Sequence, residues 1–132
     1  MIALDTNLLV RLLIQDDASQ ARAVERLFAR ARRDATPLFV ADVVLCELVW
    51  VLARRAKQPR AEIAGAMERL LDADMIVVAD VGIARRALVA YRDGAGDFAD
   101  YMIREQALSA GAGEVVTFDR ALKGEAGFKI LG

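Results

Sequence analysis

The chain has 132 residues, 56% of them apolar, with 18 basic residues set against 19 acidic ones and a formal charge of −1. That length fits one domain, residues 1–132, with a core that needs neither disulfides nor a structural metal, and the apolar content excludes disorder. Near-neutrality excludes a global field of the kind that marks a nucleic-acid binder. There is no histidine, which excludes histidine-based general acid–base catalysis, Ser-His-Asp and Cys-His nucleophile systems and the usual zinc sites. The single cysteine, Cys46, has no partner for an internal bridge and reads as a small core residue of a cytosolic protein. Any chemistry must therefore rest on carboxylates, hydroxyls, arginine, lysine or a hard metal ion.

In chain order, MIALDTNLLVRLLI runs straight into an acid, without the basic segment or small-residue cleavage site of a signal peptide. Its first strand, Ile2 to Leu4, ends in Asp5, followed by Thr6, Asn7 and an apolar helical stretch from Leu8 to Ile14. A helix-period stretch near residues 18–33 carries Arg26, Arg30, Arg32 and Arg33; Pro37 then punctuates the entry to a second strand, Leu38 to Val40. The helix expected over 42–57 contains VVLCELVWVLA, Val43 to Ala53, which is too short to span a bilayer, so a soluble cytoplasmic protein is expected. Within this run Glu47 has Val43, Val44, Trp50 and Val51 as its helical neighbours. Its carboxylate is expected to be buried, and a buried charge must meet a proton, a cation such as Arg11, or a metal ion. Arg54, Arg55, Lys57 and Arg60 follow, equally suited to phosphates and to a helix C-terminus.

The second half continues with helices near 60–73, 81–92 and 97–110 and strands at Met75 to Val78 and Glu114 to Phe118, with a weaker strand at Phe128 to Leu131. Strands alternating with one or two helices predict an α/β fold, an open and mostly parallel sheet with helices on both faces, whose ligands bind beyond the carboxyl ends of the strands. Asp5 and Asp119 each end a strand beside a threonine, Thr6 and Thr117, although each also suits a helix N-cap. In the helix over 97–110, Ala99, Met102, Ile103 and Ala107 form the expected apolar stripe, with Asp100 at its margin and Asp97 on the wet side beside Tyr101 and Arg104. Asp97 then reads as an N-cap, and Asp100 either looks into a cleft or complements the helix dipole. Carboxylates gathered at close range repel unless a cation sits among them, and oxygen-only ligation points to Mg²⁺ or Mn²⁺, metals suited to phosphodiester hydrolysis.

Together MIALDTNLLVRLL, LCELVWVL, DFADYMIREQALSAGA and VVTFDRAL followed by GFKIL resemble the PIN-domain nucleases, and within them the VapC-type toxins of bacterial toxin–antitoxin pairs. The pieces occur in the family's order and spacing over nearly the full length. The resemblance implies a three-layer α/β/α sandwich with a mostly parallel central sheet, and a metal-dependent endoribonuclease silenced by a bound antitoxin and leaving 5′-phosphate and 3′-hydroxyl ends. It carries the acidic quartet onto Asp5, Glu47, Asp100 and Asp119, as Mg²⁺ or Mn²⁺ ligands and catalytic groups, with Thr6, Asn7, Asp97 and Thr117 in support. The family pattern favours Asp100 over Asp97 as the direct ligand. DYMIREQ departs from it: small aliphatic residues are expected after the aspartate, and Tyr101, Arg104 and Glu105 put the cleft wall in question.

Rival readings are an aspartate-based small-molecule phosphohydrolase, which wants a second acid where Asn7 stands, and a non-catalytic PIN-like binding module. The apolar helical stretches around Leu8 to Ile14 and Val43 to Ala53 are consistent with a homodimer and with an antitoxin segment lying in a groove. Arg11 is open to RNA phosphate, an antitoxin carboxylate or Glu47.

Overall fold

The structure, a computed structural model, describes all residues from Met1 to Gly132. Its chain forms two compact units, residues 1–81 and 82–132.

In the first unit, β1 (Ile2–Ala3), β2 (Leu38–Phe39) and β3 (Ile76–Val77) form a parallel sheet in that order, with Ile2 opposite Leu38 and Leu38 opposite Ile76. Parallel neighbours require crossovers, and helices supply them: α1 (Thr6–Ile14) and α2 (Ala18–Asp34) between β1 and β2, α3 (Asp42–Arg54) and α4 (Arg60–Asp72) between β2 and β3. Asp5 caps α1 by accepting a hydrogen bond from the Leu8 amide, and Gln15 closes it in the left-handed conformation, separating it from α2, which Asp17 caps. The helix α1 packs on both α2 and α3, and α3 packs on α4. Leu9, Leu38, Val40, Leu45, Leu48, Leu52, Ile63 and Met67 are the sealed centre.

The second unit holds α6 (Phe98–Ser109), reached through the last residues of α5 (Val81–Asp93), and a parallel pair, β4 (Val115–Thr117) and β5 (Phe128–Ile130), joined through a single 3-10 turn at Arg120–Leu122. Tyr91 meets Phe98 edge to face at 6.3 Å, and Tyr101 meets Phe128 at 6.2 Å. All strand pairing is parallel, the α/β class expected from the alternation.

Two faces differ from expectation. The inward side of α3 is Val44, Leu45, Leu48, Val49 and Leu52, while Val43 and Trp50 are 63% and 54% exposed and Glu47 shares their open side. A helix apolar on nearly every side carries no periodic signal of which side turns in. In α6 the buried stripe is Phe98, Tyr101, Met102 and Glu105, spaced i, i+3, i+4, i+7, and Ile103 faces out at 53% exposure. Tyr101 and Glu105 go inside because each finds hydrogen-bonding partners there, so burial does not strand a polar group. No helix is long and apolar enough to cross a membrane.

Leu48→Ala should cost about 2–5 kcal/mol of stability in a denaturant titration, the usual range for emptying a sealed leucine site. Val43→Ala, one turn away on the open side, should fall within about 0.5 kcal/mol of wild type. Equal losses would contradict this assignment of the faces.

Candidate active site

The acid that follows β1 does two things at once. Asp5 Oδ1 accepts the Leu8 amide at 3.1 Å and so starts α1, and this sets Thr6 on the helix's first turn. The Thr6 hydroxyl then donates to Glu47 Oε1 at 3.0 Å, across 41 residues of sequence. Glu47 is not the buried, unpartnered charge expected: it is exposed, its partner is a hydroxyl, and water reaches it. Arg11 is not its counterion either, since its guanidinium goes to Asp16 Oδ1 at 2.7 Å and to Gln20.

In the second unit, β4 ends in Thr117, whose hydroxyl accepts the Asp119 amide at 3.0 Å, and Asp119 Oδ1 accepts the Ala121 amide at 2.9 Å to cap the 3-10 turn. Asp97 is the N-cap of α6, as expected, and its amide donates to Asp100 Oδ2 at 2.8 Å. Asp100 is half-buried and its carboxyl is raised above the usual range. Burial is the main cause; the hydrogen bond from the Asp97 amide opposes it, and the charges of Asp97 and Asp119 add to it.

The structure thus links Thr6 with Glu47 in one unit, and in the other sets Asp100 within the fields of Asp97 and Asp119. No three acid or thiol side chains are gathered as a ready ligand set. The donors nonetheless suit a hard cation. Asp5, Glu47, Asp100 and Asp119 offer only oxygen, and each has one carboxylate oxygen anchored by a hydrogen bond and the other without a protein partner. Asn7, the remaining supporting position, is exposed and borders a groove of ≈ 180 Å³ between α1 and α3, where Arg11, Val51 and Arg55 also stand.

The residues that departed from the expected pattern are accounted for by packing. Tyr101 is fully buried, so it is not a cleft-wall residue; its hydroxyl accepts the Gly96 amide at 3.0 Å and donates to Glu125 Oε1 at 2.9 Å. Glu105, 7% exposed, pairs with Arg86 at 2.9 Å and Arg104 at 3.0 Å. Arg104 also lies over the rings of Tyr101 and Phe128 and donates to the Ala126 carbonyl. Glu125 went unnoticed in the sequence, and no local pattern points to it: the room left by Gly94 and Gly96 is taken by Tyr101 and Leu122.

Because the folded state raises the Asp100 carboxyl above its unfolded value, the stability it contributes is complete below the unfolded value and is lost as pH rises through the folded one. In chelator, Asp100→Asn should therefore melt above wild type at pH 7, with the gap closing below about pH 4. A variant that melts no higher at pH 7 would contradict the assignment. The Cys46 thiol is pushed up to about 11 by burial, then by the charges of Asp42 and Glu47. Iodoacetamide at pH 8 should alkylate it about a hundredfold more slowly than free cysteine, accelerating past about pH 10. Equal rates at pH 8 would contradict that environment.

A family model for the PIN domain matches residues 2–126, from β1 through the approach to β5. The chain is also 30% identical over 131 residues to the VapC ribonuclease of Aquifex aeolicus (strain VF5), a match covering 99% of this chain and 96% of that protein. Neither match stops at the boundary between the two units, and the strand-end acids Asp5 and Asp119 both fall within the matched span; this chain belongs to the PIN-domain family.

Proposed function

We propose that this chain is a metal-dependent endoribonuclease, the toxin of a toxin–antitoxin pair, that hydrolyses RNA phosphodiester bonds with carboxylates of Asp5, Glu47, Asp100 and Asp119 serving a Mg²⁺ or Mn²⁺ ion. The observation that carries the reading is that, on a PIN-family chain, each of these carboxylates is anchored through one oxygen and leaves the second without a protein partner. Likeness to a protein named VapC ribonuclease supports RNA as the substrate and an antitoxin as the partner. The family match running from residue 2 to residue 126 supports treating residues 1–132 as one functional domain.

A bound divalent ion would supply Lewis acidity to the phosphoryl group and lower the pKa of a coordinated water. The chain's own residues hold the rest. Asp5 and Asp119 are each fixed by the first turn of the helix they cap, which costs them one oxygen and freezes the direction of the other. Thr6 does the same for Glu47, and the exposed Glu47 is the group assigned to orient the attacking water and take its proton. Asp100 would serve as a direct ligand, with Asp97 lending its amide to steer it. A cation would also offset the burial and the neighbouring charges of Asp97 and Asp119 that together raise Asp100. Thr117 holds the Asp119 main chain rather than its carboxylate, a supporting role.

The open apolar side of α3, with Val43 and Trp50, and the grooves flanking α1 favour further protein contacts, a second copy and an antitoxin segment. A cytoplasmic location accords with that assembly.

The experiment is cleavage of a pooled RNA preparation with and without Mg²⁺ or Mn²⁺. Wild type should cut only with the ion. Asp5→Asn, which preserves the cap, and Glu47→Gln should each lower the rate by at least about a thousandfold while circular dichroism stays unchanged, the scale expected when a group acting on the transition state is lost. Undiminished, metal-dependent cleavage by both variants would overturn the assignment. Thr6→Val, which releases Glu47 without removing it, should lose about ten- to a hundredfold.

A further inference from the structure

The loop Gly94-Ala95-Gly96 lies directly before Asp97 and Asp100; two hydrogen bonds tie its amides to side chains outside it, and a third joins those two side chains to each other. The Gly96 amide donates to the Tyr101 hydroxyl at 3.0 Å; that hydroxyl donates to Glu125 Oε1 at 2.9 Å; the Ala95 amide donates to the same oxygen at 2.9 Å. One carboxylate oxygen and one phenol therefore hold two consecutive amides. Tyr101 is fully enclosed, so its hydroxyl has no exchange with water to soften the arrangement.

The loop is also tight against its surroundings. A Cβ on Gly96 would stand 2.5 Å from Leu122 Cδ2 and 3.2 Å from Asp100 Oδ2, and a Cβ on Gly94 would stand 1.9 Å from the Tyr101 hydroxyl. Leu122 closes the 3-10 turn that Asp119 caps, and Glu125 follows it, its amide donating to the Leu122 carbonyl at 3.0 Å. Through Glu125, then, the segment that begins at Asp119 grips the loop that ends at Asp97 and Asp100. Those acids repel one another, so something must hold them together before a cation arrives.

We propose that Tyr101 and Glu125 are positioning residues, a clamp that joins the Asp119 segment to the loop ahead of Asp100 and so fixes the spacing of these two carboxylates in the ion-free protein. The inference rests on the reading of Asp100 and Asp119 as ion ligands. It concerns residues that touch neither substrate nor ion, and it explains why a tyrosine stands directly after the acid where the family resemblance led to a small aliphatic residue.

The test uses the full-length protein, stripped of metal by chelator and compared with Tyr101→Phe, Glu125→Ala, Glu125→Gln and Asp100→Asn. Three readouts are taken: amide hydrogen exchange across residues 95–97 without metal, Mn²⁺ affinity by calorimetry, and RNA cleavage resolved into kcat and KM. Tyr101→Phe and Glu125→Ala should speed exchange at these amides, weaken Mn²⁺ binding about tenfold or more, and lower kcat with KM for RNA unchanged. Glu125→Gln keeps an oxygen where both donors point and should restore all three. Mn²⁺ affinity and kcat at wild-type values in both Tyr101→Phe and Glu125→Ala would overturn the clamp. So would a Glu125→Gln variant as impaired as Glu125→Ala. If Asp100→Asn binds Mn²⁺ as wild type does, the ligand reading itself fails; if Asp100→Asn loses it while the clamp variants do not, only the clamp fails.

Discussion

A carboxylate has two oxygens, and in this chain the four acids proposed as ion ligands divide them. One oxygen of Asp5, Glu47, Asp100 and Asp119 accepts a hydrogen bond from an amide or a hydroxyl, and the other has no protein partner. The anchoring bond is supplied by elements the fold needs anyway: the first turn of α1, the 3-10 turn after β4 and the N-terminus of α6. Fold and candidate chemistry therefore rest on the same few contacts. The N-cap reading and the metal-ligand reading of Asp5 and Asp119 posed alternatives in the sequence, but a side chain with two acceptor oxygens can serve both.

Partial burial gives the same division an electrostatic cost. Asp100 resists ionisation because it is half-buried and faces Asp97 and Asp119, the condition that a divalent ion reverses. Around it the second unit is stiffened by polar groups placed inside: Glu105 between two arginines, Arg104 across two aromatic rings, Tyr101 between Gly96 and Glu125.

Much of the fold was legible because short apolar runs punctuated by proline, glycine and aspartate leave few alternatives. Each of the expected strands is present, trimmed by a residue or two, and Asp97 caps its helix where expected. What the sequence could not convey is orientation. Val43 to Ala53 is apolar around most of its circumference, so nothing in its period said that Glu47 would face water beside Val43 and Trp50. In α6 the polarity of Tyr101 and Glu105 argued for the outside, and their partners, Glu125, Arg86 and Arg104, lie up to 24 residues away. Long-range pairing of polar side chains is invisible to any local pattern, and it decides here which side of the helix is core. The positions of Asp5 and Asp119 just past their strands followed from a topological rule instead, because a strand's carboxyl end is defined locally.

If half-engaged carboxylates are ion ligands, the folded protein must bind a divalent cation in the absence of RNA, and binding to the native state alone must raise its melting temperature with ligand concentration. Thermal melts of chelator-stripped wild-type protein across a Mn²⁺ series are the direct measurement. A melting temperature that climbs steadily with free Mn²⁺, and climbs less in a variant lacking the Asp119 carboxylate, is the result expected. A melting temperature indifferent to Mn²⁺ up to millimolar concentrations would contradict the account at its root.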